Sequence, residues 1–147
     1  MLSFDTNILV YAADRTAGAR HIACARLLTA ATSAPAALNE QSVFEFLHVS
    51  TRKRKQPLAD AAQMVRAWLK NFALMPNPAT VVEDSLTLLV SHRLQVWDAH
   101  MLAVCAANGC DVLLSEDMTD GAQYGSVLVL NPFNPANTGK LAHLLQP

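Results

Sequence analysis

Carboxylates are the residues of this chain whose types and spacing could do chemistry. Asp5 ends a short apolar run in "MLSFDTNILVYAAD" and is followed at once by a second apolar stretch. A surface turn would use Asp-Gly or Asn-Gly and then polar residues. Glu116 and Asp117 follow the apolar run "DVLLS". Asp98 opens the stretch "DAHMLAVCAANG". At 100° per residue, Met101, Leu102 and Cys105 fall within about 60° of it. The acid therefore stands at the N-terminal end of an inward-facing apolar stripe. A carboxylate aimed toward a core needs hydrogen bonds, a base or a metal. Crowded carboxylates repel one another unless cations neutralise them, and hard divalent cations prefer oxygen ligands. Mg²⁺ or Mn²⁺ suits such a set, whereas Zn²⁺ more often recruits His or Cys.

Taken singly, each acid has a plainer reading. Asp5 reads equally as a helix cap. Asp117 reads first as a turn residue in "SEDMTDG", and Asp120 beside Gly121 more so. Glu40 falls in a first helical turn, where acids are common for dipole reasons. Glu45 shares the polar side of a helix with Gln41, His48 and Arg52. The convergence of Asp5, Asp98 and Asp117 is what argues for a site. The five histidines (His21, His48, His92, His100, His143) show no pairing for a metal or a general base. Neither a Ser/His/Asp arrangement nor a Gly-rich phosphate loop is legible. "TRKRK" (51–55) is the only dense basic run. Its Arg52 and Lys53 could touch the phosphates of a nucleic acid, or simply be cations solvated at a helix C-terminus.

The elements that must position these acids alternate in type. Strand-like runs lie at Leu2–Asp5, about Ala34–Ala37, Ala73–Pro76, Asp111–Ser115 and Val127–Leu130. The last two are continuously apolar, which suits strands buried on both faces. Helical patterns span Gly18–Ala31, Asn39–Lys55 with Asn39 as N-cap, Leu58–Phe72 after Pro57, Ala79–His92 after Pro78, and Trp97–Asn108 closed by Gly109. Strands separated by helices indicate an α/β fold with a mostly parallel sheet. In such a sheet ligands bind beyond the carboxyl ends of the strands. Asp5 and Asp117 would then share one edge. The segment from Asn131 is rich in Pro and Asn and reads as irregular, with a final helical turn near Leu141–Leu145.

The 147 residues, 52% hydrophobic, allow one domain, 1–147, with a real core at about 1–133. The net charge of −1 excludes a globally basic nucleic-acid binder, so any such role needs a local patch or a metal. No apolar run is long enough to cross a bilayer, and no signal-peptide pattern opens the chain. Three cysteines without metal-ligand spacing point to reduced thiols and a cytoplasmic location.

"SFDTNILVYAAD", "EFLHVSTRK", "VWDAHMLAVCAANGCDVLLSEDM" and "VLVLNPF" together resemble the PIN-domain nucleases, nearest to the VapC-type toxin ribonucleases. The likeness runs from residue 3 to about 133, and the order and spacing of the short motifs give it its specificity. It implies a three-layer α/β/α sandwich around a central, mostly parallel sheet of about five strands. It also implies an Mg²⁺- or Mn²⁺-dependent hydrolase that cleaves RNA. By this resemblance Asp5, Glu45, Asp98 and Asp117 are the catalytic and metal-binding acids, with Asn7 and Ser115 supporting them. "EFLHVSTRK" fixes Glu45 over Glu40. Asn39 stands where the family usually has Ser or Thr, a departure that an N-cap role tolerates. His100 replaces a smaller or aliphatic residue and reads as a packing or surface variation. The resemblance further implies a cognate antitoxin and a homodimer.

Two other classes compete. A haloacid-dehalogenase-like phosphatase would want a second Asp two residues after the first, where Asn7 stands. A non-catalytic binding module with an acidic metal pocket, like a response-regulator receiver, would want paired acids at the first strand end and a Lys after "VLVL", which is lacking.

Overall fold

The computed structural model describes residues 1–146. Strand β1 (Leu2–Phe4) leads through Asp5 into α1 (Thr6–Ala13), and a 3₁₀ turn (Arg15–Ala17) joins this to α2 (Ala19–Ala31). Then come β2 (Ala37–Leu38), α3 (Glu40–His48), a π-helical turn (Val49–Lys53) and α4 (Leu58–Trp68). After β3 (Ala73–Leu74) the contacting pair α5 (Val81–His92) and α6 (Val96–Ala107) feeds β4 (Val112–Leu114). The chain ends with β5 (Gln123–Tyr124), β6 (Val127–Leu130) and α7 (Thr138–Leu144).

The central sheet has the order β1-β4-β6-β5. Phe4 pairs with Leu114 and Leu114 with Leu130, all parallel, while β5 runs antiparallel on the outer edge. β2 and β3 form a second parallel pair, linked to β1 through a Leu2–Ala36 bridge. Of six strands in all, four form the central sheet expected to have about five, β2 and β3 pair apart from it, and β5 is the strand the sequence pattern lacks. The added β5 is two residues long and carries no apolar run that would mark it.

Alternation along the strands divides the interior into two cores. Leu2, Phe4, Val112 and Leu114 face α1, α2, α3 and α4, with Ile8, Leu9, Phe46 and Phe72 among their neighbours. Leu113, Val127 and Val129 face the other way, onto Met101, Leu102, Val104 and Cys105 of α6 and Val81 of α5. Helices on both faces of a mostly parallel sheet make the α/β/α sandwich that the sequence implies. A strand buried on both sides has no use for polar alternation, which is why "VLL" and "VLVL" read as solid apolar runs.

Several helix boundaries differ from the sequence pattern; α5 starts at Val81 with Thr80 as N-cap, so Pro78 lies ahead of that helix and not in its first turn. α3 passes into the π-helical turn at Val49 instead of running unbroken to Lys55. Pro57 is the N-cap of α4, not its first turn, and α4 ends at Trp68. The segment after Asn131 is more ordered than its composition suggests. The Asp120 carboxylate accepts from Asn131 N at 2.8 Å, Asn137 Nδ2 at 2.8 Å and Asn134 Nδ2 at 2.5 Å. This clasp brings Phe133, Leu141, Leu144 and Leu145 against the first core. Among the described residues, no helix is long and apolar enough to cross a membrane.

Candidate active site

Parallel pairing puts the ends of β1 and β4 side by side. Asp5 N donates to Leu114 O at 2.9 Å, and Ser115 N donates to Leu130 O at 3.1 Å. The side chains that follow each strand therefore emerge at one sheet edge.

Asp5 is the hub of that edge. It caps α1 with extended backbone (φ −69°, ψ 159°), and its Oδ1 accepts from Thr6 N at 2.6 Å. Its Oδ2 accepts from Ser115 Oγ at 2.6 Å and from Asn7 Nδ2 at 2.9 Å. The cap reading of Asp5 is therefore observed, and capping leaves its carboxylate at the sheet edge. Burial pushes its pKa up from 3.8 to about 6; the Ser115 and Thr6 bonds oppose that rise, and the charges of Asp98 and Asp117 add to it. Ser115, fully buried, also accepts from Asp117 N at 3.3 Å and Met118 N at 3.2 Å, so it shapes the turn that carries the next acid. Asn7 reaches both strand ends: Nδ2 donates to Asp117 Oδ2 at 3.2 Å, and Oδ1 accepts from Glu116 N at 3.4 Å.

Asp98 lies in the first turn of α6, half-buried, above the buried Met101, Leu102 and Cys105. Its pKa is raised by burial first, then by the neighbouring charges of Glu45 and Asp117. Glu45 comes from α3. Thr6 Oγ donates to its Oε2 at 2.6 Å, and Gln41 Nε2 donates to its Oε1 at 3.0 Å. The helix carrying Glu45 is tied in place by Ser42 Oγ donating to Phe4 O at 3.0 Å and by Asn39 Nδ2 donating to Met101 O at 3.3 Å. Asn39 caps α3 as the sequence indicated, accepting from Gln41 N at 3.0 Å. Asp5, Glu45, Asp98 and Asp117, with Asn7 and Ser115, thus gather at one place from four segments of chain.

Arg52 and Lys53 lie exposed on the π-helical turn. Lys53 borders a cavity that Glu45 also lines, and Arg52 does not. Sequence reasoning passed over Thr6, although its position directly after the capping Asp5 was a usable signal. It also passed over Glu116 as a structural partner. Tyr11 OH donates to Glu116 Oε2 at 2.7 Å, and Arg20 pairs with its Oε1, Nε at 2.8 Å. The Arg20 hydrogen bond first holds the Glu116 carboxyl below its usual range, against the opposing effect of burial, with the Tyr11 hydrogen bond and the Arg20 charge adding smaller downward effects. The Arg20 guanidinium lies over the Tyr11 and Phe133 rings, 5.7 and 5.2 Å from their centroids. No spacing rule links residues so far apart in sequence.

A family model for the PIN domain matches residues 3–119. The chain belongs to the PIN-domain family. Solved PIN-like structures have the same fold. The Mycobacterium tuberculosis toxin VapC20, described as cleaving the sarcin-ricin loop, is 20% identical; the match covers 80% of this chain and 92% of that one, with a TM-score of 0.65. A toxin–antitoxin complex from Klebsiella pneumoniae is 24% identical over 90% of this chain and 98% of its own, TM-score 0.65. FitAcB from Neisseria gonorrhoeae is 17% identical over 91% and 99%, TM-score 0.63. Among curated proteins none matches this PIN domain significantly.

Does the donor set of this PIN domain suit a divalent ion? Its four acids supply only oxygen, the preference of Mg²⁺ and Mn²⁺. Burial and mutual charge raise the pKa of Asp5 and Asp98, a repulsion that a cation would relieve. Among the described residues no three His, Cys, Asp or Glu side chains stand close enough to enclose one ion as they are. Asp5 is held by three donors, whereas Asp117 is exposed and Asp98 and Glu45 are half-buried. The chemistry fits, with Asp5 the most tightly held of the four acids.

Proposed function

We propose that this PIN domain is a metal-dependent ribonuclease and the toxin of a toxin–antitoxin pair. The observation that carries the reading is the gathering of Asp5, Glu45, Asp98 and Asp117 at the carboxyl edge of a PIN-domain sheet. Those four residues would hold one or two Mg²⁺ or Mn²⁺ ions. Bound there, such ions make water nucleophilic near neutral pH and offset charge building on a phosphoryl group.

The chain's own residues do the rest. Thr6 N, Asn7 and Ser115 fix the two oxygens of Asp5, so its lone pairs have set directions. Thr6 and Gln41 do the same for Glu45, each through one oxygen. A protein with this many acids and a net charge of −1 repels a polyanion until cations occupy the edge. Binding of RNA and its cleavage should therefore share one metal dependence. Lys53, with Arg52 on the same turn, supplies the cationic contact to the phosphate backbone.

The similar structure from Klebsiella pneumoniae, solved as a toxin–antitoxin complex, favours a partner antitoxin for this chain too. An RNA substrate and three free, buried thiols favour the cytoplasm as its location. Purified protein should cleave RNA with Mn²⁺ or Mg²⁺ and not with EDTA. A failure of all three conditions to differ would remove the reading. Growth arrest on expression, relieved by a small protein encoded beside it, tests the toxin role separately.

A further inference from the structure

A cavity of about 720 Å³ opens beside the acids, between α3 and the start of α6. We infer that it receives the base of an unpaired ribonucleotide next to the scissile phosphate. This rests on the ribonuclease reading above and extends it to how the substrate is chosen.

Two aromatic rings line the cavity and face solvent. Phe44 is 63% exposed and Trp97 62% exposed. Exposed rings of this size beside a nucleic-acid-cleaving edge are stacking platforms, because every base offers a π-face. The Trp97 ring is not loose. It meets His100 edge to face, centroids 6.4 Å apart.

The opposite wall is polar and already ordered. His100 Nδ1 donates to Gln41 Oε1 at 2.6 Å, and its Nε2 accepts from Asn77 Nδ2 at 3.3 Å. A single neutral tautomer satisfies both bonds. Gln41 Nε2 donates to Glu45 Oε1 at 3.0 Å and to Trp97 O at 3.1 Å. Both N–H groups of Gln41 are thereby used, and they tie the Trp97 backbone to one of the four acids. Asn77 keeps its Oδ1 acceptor and one N–H without a protein partner among the described residues. An amide with both functions free can read the edge of a base. Lys53 on the rim is placed for the phosphate that follows.

These features select the occupant. A duplex hides its base faces, so only a loop or a single strand can enter. A second copy of the chain would gain from Phe44 and Trp97 but would leave Asn77 unmatched and would press against Glu45. The apolar stripe Val82, Leu86 and Val90 on α5, exposed by 65%, 50% and 83%, lies on another helix and offers no such polar wall.

Trp97 itself reports the test. The other tryptophan, Trp68, is packed on Phe46 with ring centroids 4.7 Å apart. In the Mg²⁺-loaded wild type, a single-stranded RNA oligonucleotide should quench Trp97 emission on rapid mixing, before it is cleaved, and the same sequence as a duplex should not. Trp97→Phe should abolish the response. Trp97→Ala should raise KM for single-stranded RNA by about 10-fold or more with kcat little changed, and Trp97→Phe should restore it. Cleavage with no quenching and an unchanged KM in Trp97→Ala overturns the base site and leaves the ribonuclease reading standing. Quenching without cleavage by the wild type does the reverse. Conversion of a dimer to a monomer by Trp97→Ala, with KM unmoved, overturns it in favour of a second copy.

Discussion

Ser115 Oγ donates to Asp5 Oδ2 at 2.6 Å across 110 positions of sequence. The same hydroxyl accepts from Asp117 N and Met118 N, so one buried side chain joins the fixed acid to the turn bearing another. Ser115→Ala removes the donor and leaves those amides without their acceptor. Stability should fall by about 1–3 kcal/mol, the usual cost of orphaned buried polar groups. Urea denaturation at pH 7 measures this, and no loss would show that water replaces the hydroxyl.

Asp5→Asn should stabilise the metal-free protein. Asp5 has its pKa raised from 3.8 to about 6, mainly by burial. Between those values the folded chain binds more protons than the unfolded one. Stability therefore falls as pH rises from about 4 to 6, and the deficit persists at pH 7. Two pH units set an upper bound of about 3 kcal/mol. The lost charge-assisted bonds to Ser115, Thr6 and Asn7 reduce the gain to about 1–2 kcal/mol. Thermal melts in EDTA should show the variant ahead at pH 7 and level near pH 4. Mn²⁺ should stabilise the wild type and not the variant.

Thr6 Oγ donates to Glu45 Oε2 at 2.6 Å. Thr6→Val keeps the shape and removes that donor. Cleavage should fall by about 10- to 100-fold, the usual cost of losing a partner that orients a metal ligand. Thr6→Ser should keep most of the rate. Equal rates in Val and Ser variants would show that Glu45 needs no such hold.

Asp98→Asn should cut Mn²⁺-dependent cleavage by about 100-fold or more while the fold persists. Because burial and the charges of Glu45 and Asp117 raise the pKa of Asp98, neutralising it removes repulsion in the metal-free state. Calorimetry of Mn²⁺ binding alongside rate assays separates loss of the ion from loss of chemistry.

Much of the fold was legible in the chain. Apolar runs at Val112–Leu114 and Val127–Leu130, and helices bounded by Asn39 and Gly109, follow from periodicity and caps, which depend on near neighbours. β5 was not legible, since Gln123–Tyr124 pairs only because β6 offers it an edge. His100 was read as packing or surface variation. It does lie on a different side of α6 from Asp98, but it is ordered by Gln41 and Asn77 and faces the cavity.

By itself the sequence determined the alternation of strand and helix and the strand-end positions of Asp5 and Asp117, with Asp98 at the mouth of a buried stripe. Hydrophobic period and capping chemistry are local, so they survive without coordinates. Which carboxylates meet, and which donors hold them, was decided by the tertiary structure alone. Ser115 reaches Asp5, Thr6 reaches Glu45, and Arg20 reaches Glu116 because parallel pairing of β1 with β4 and the docking of α1 and α3 bring distant segments together. Electrostatics follow those distances. The rise of Asp5 to about 6 is a property of burial and neighbours that no stretch of residues carries alone.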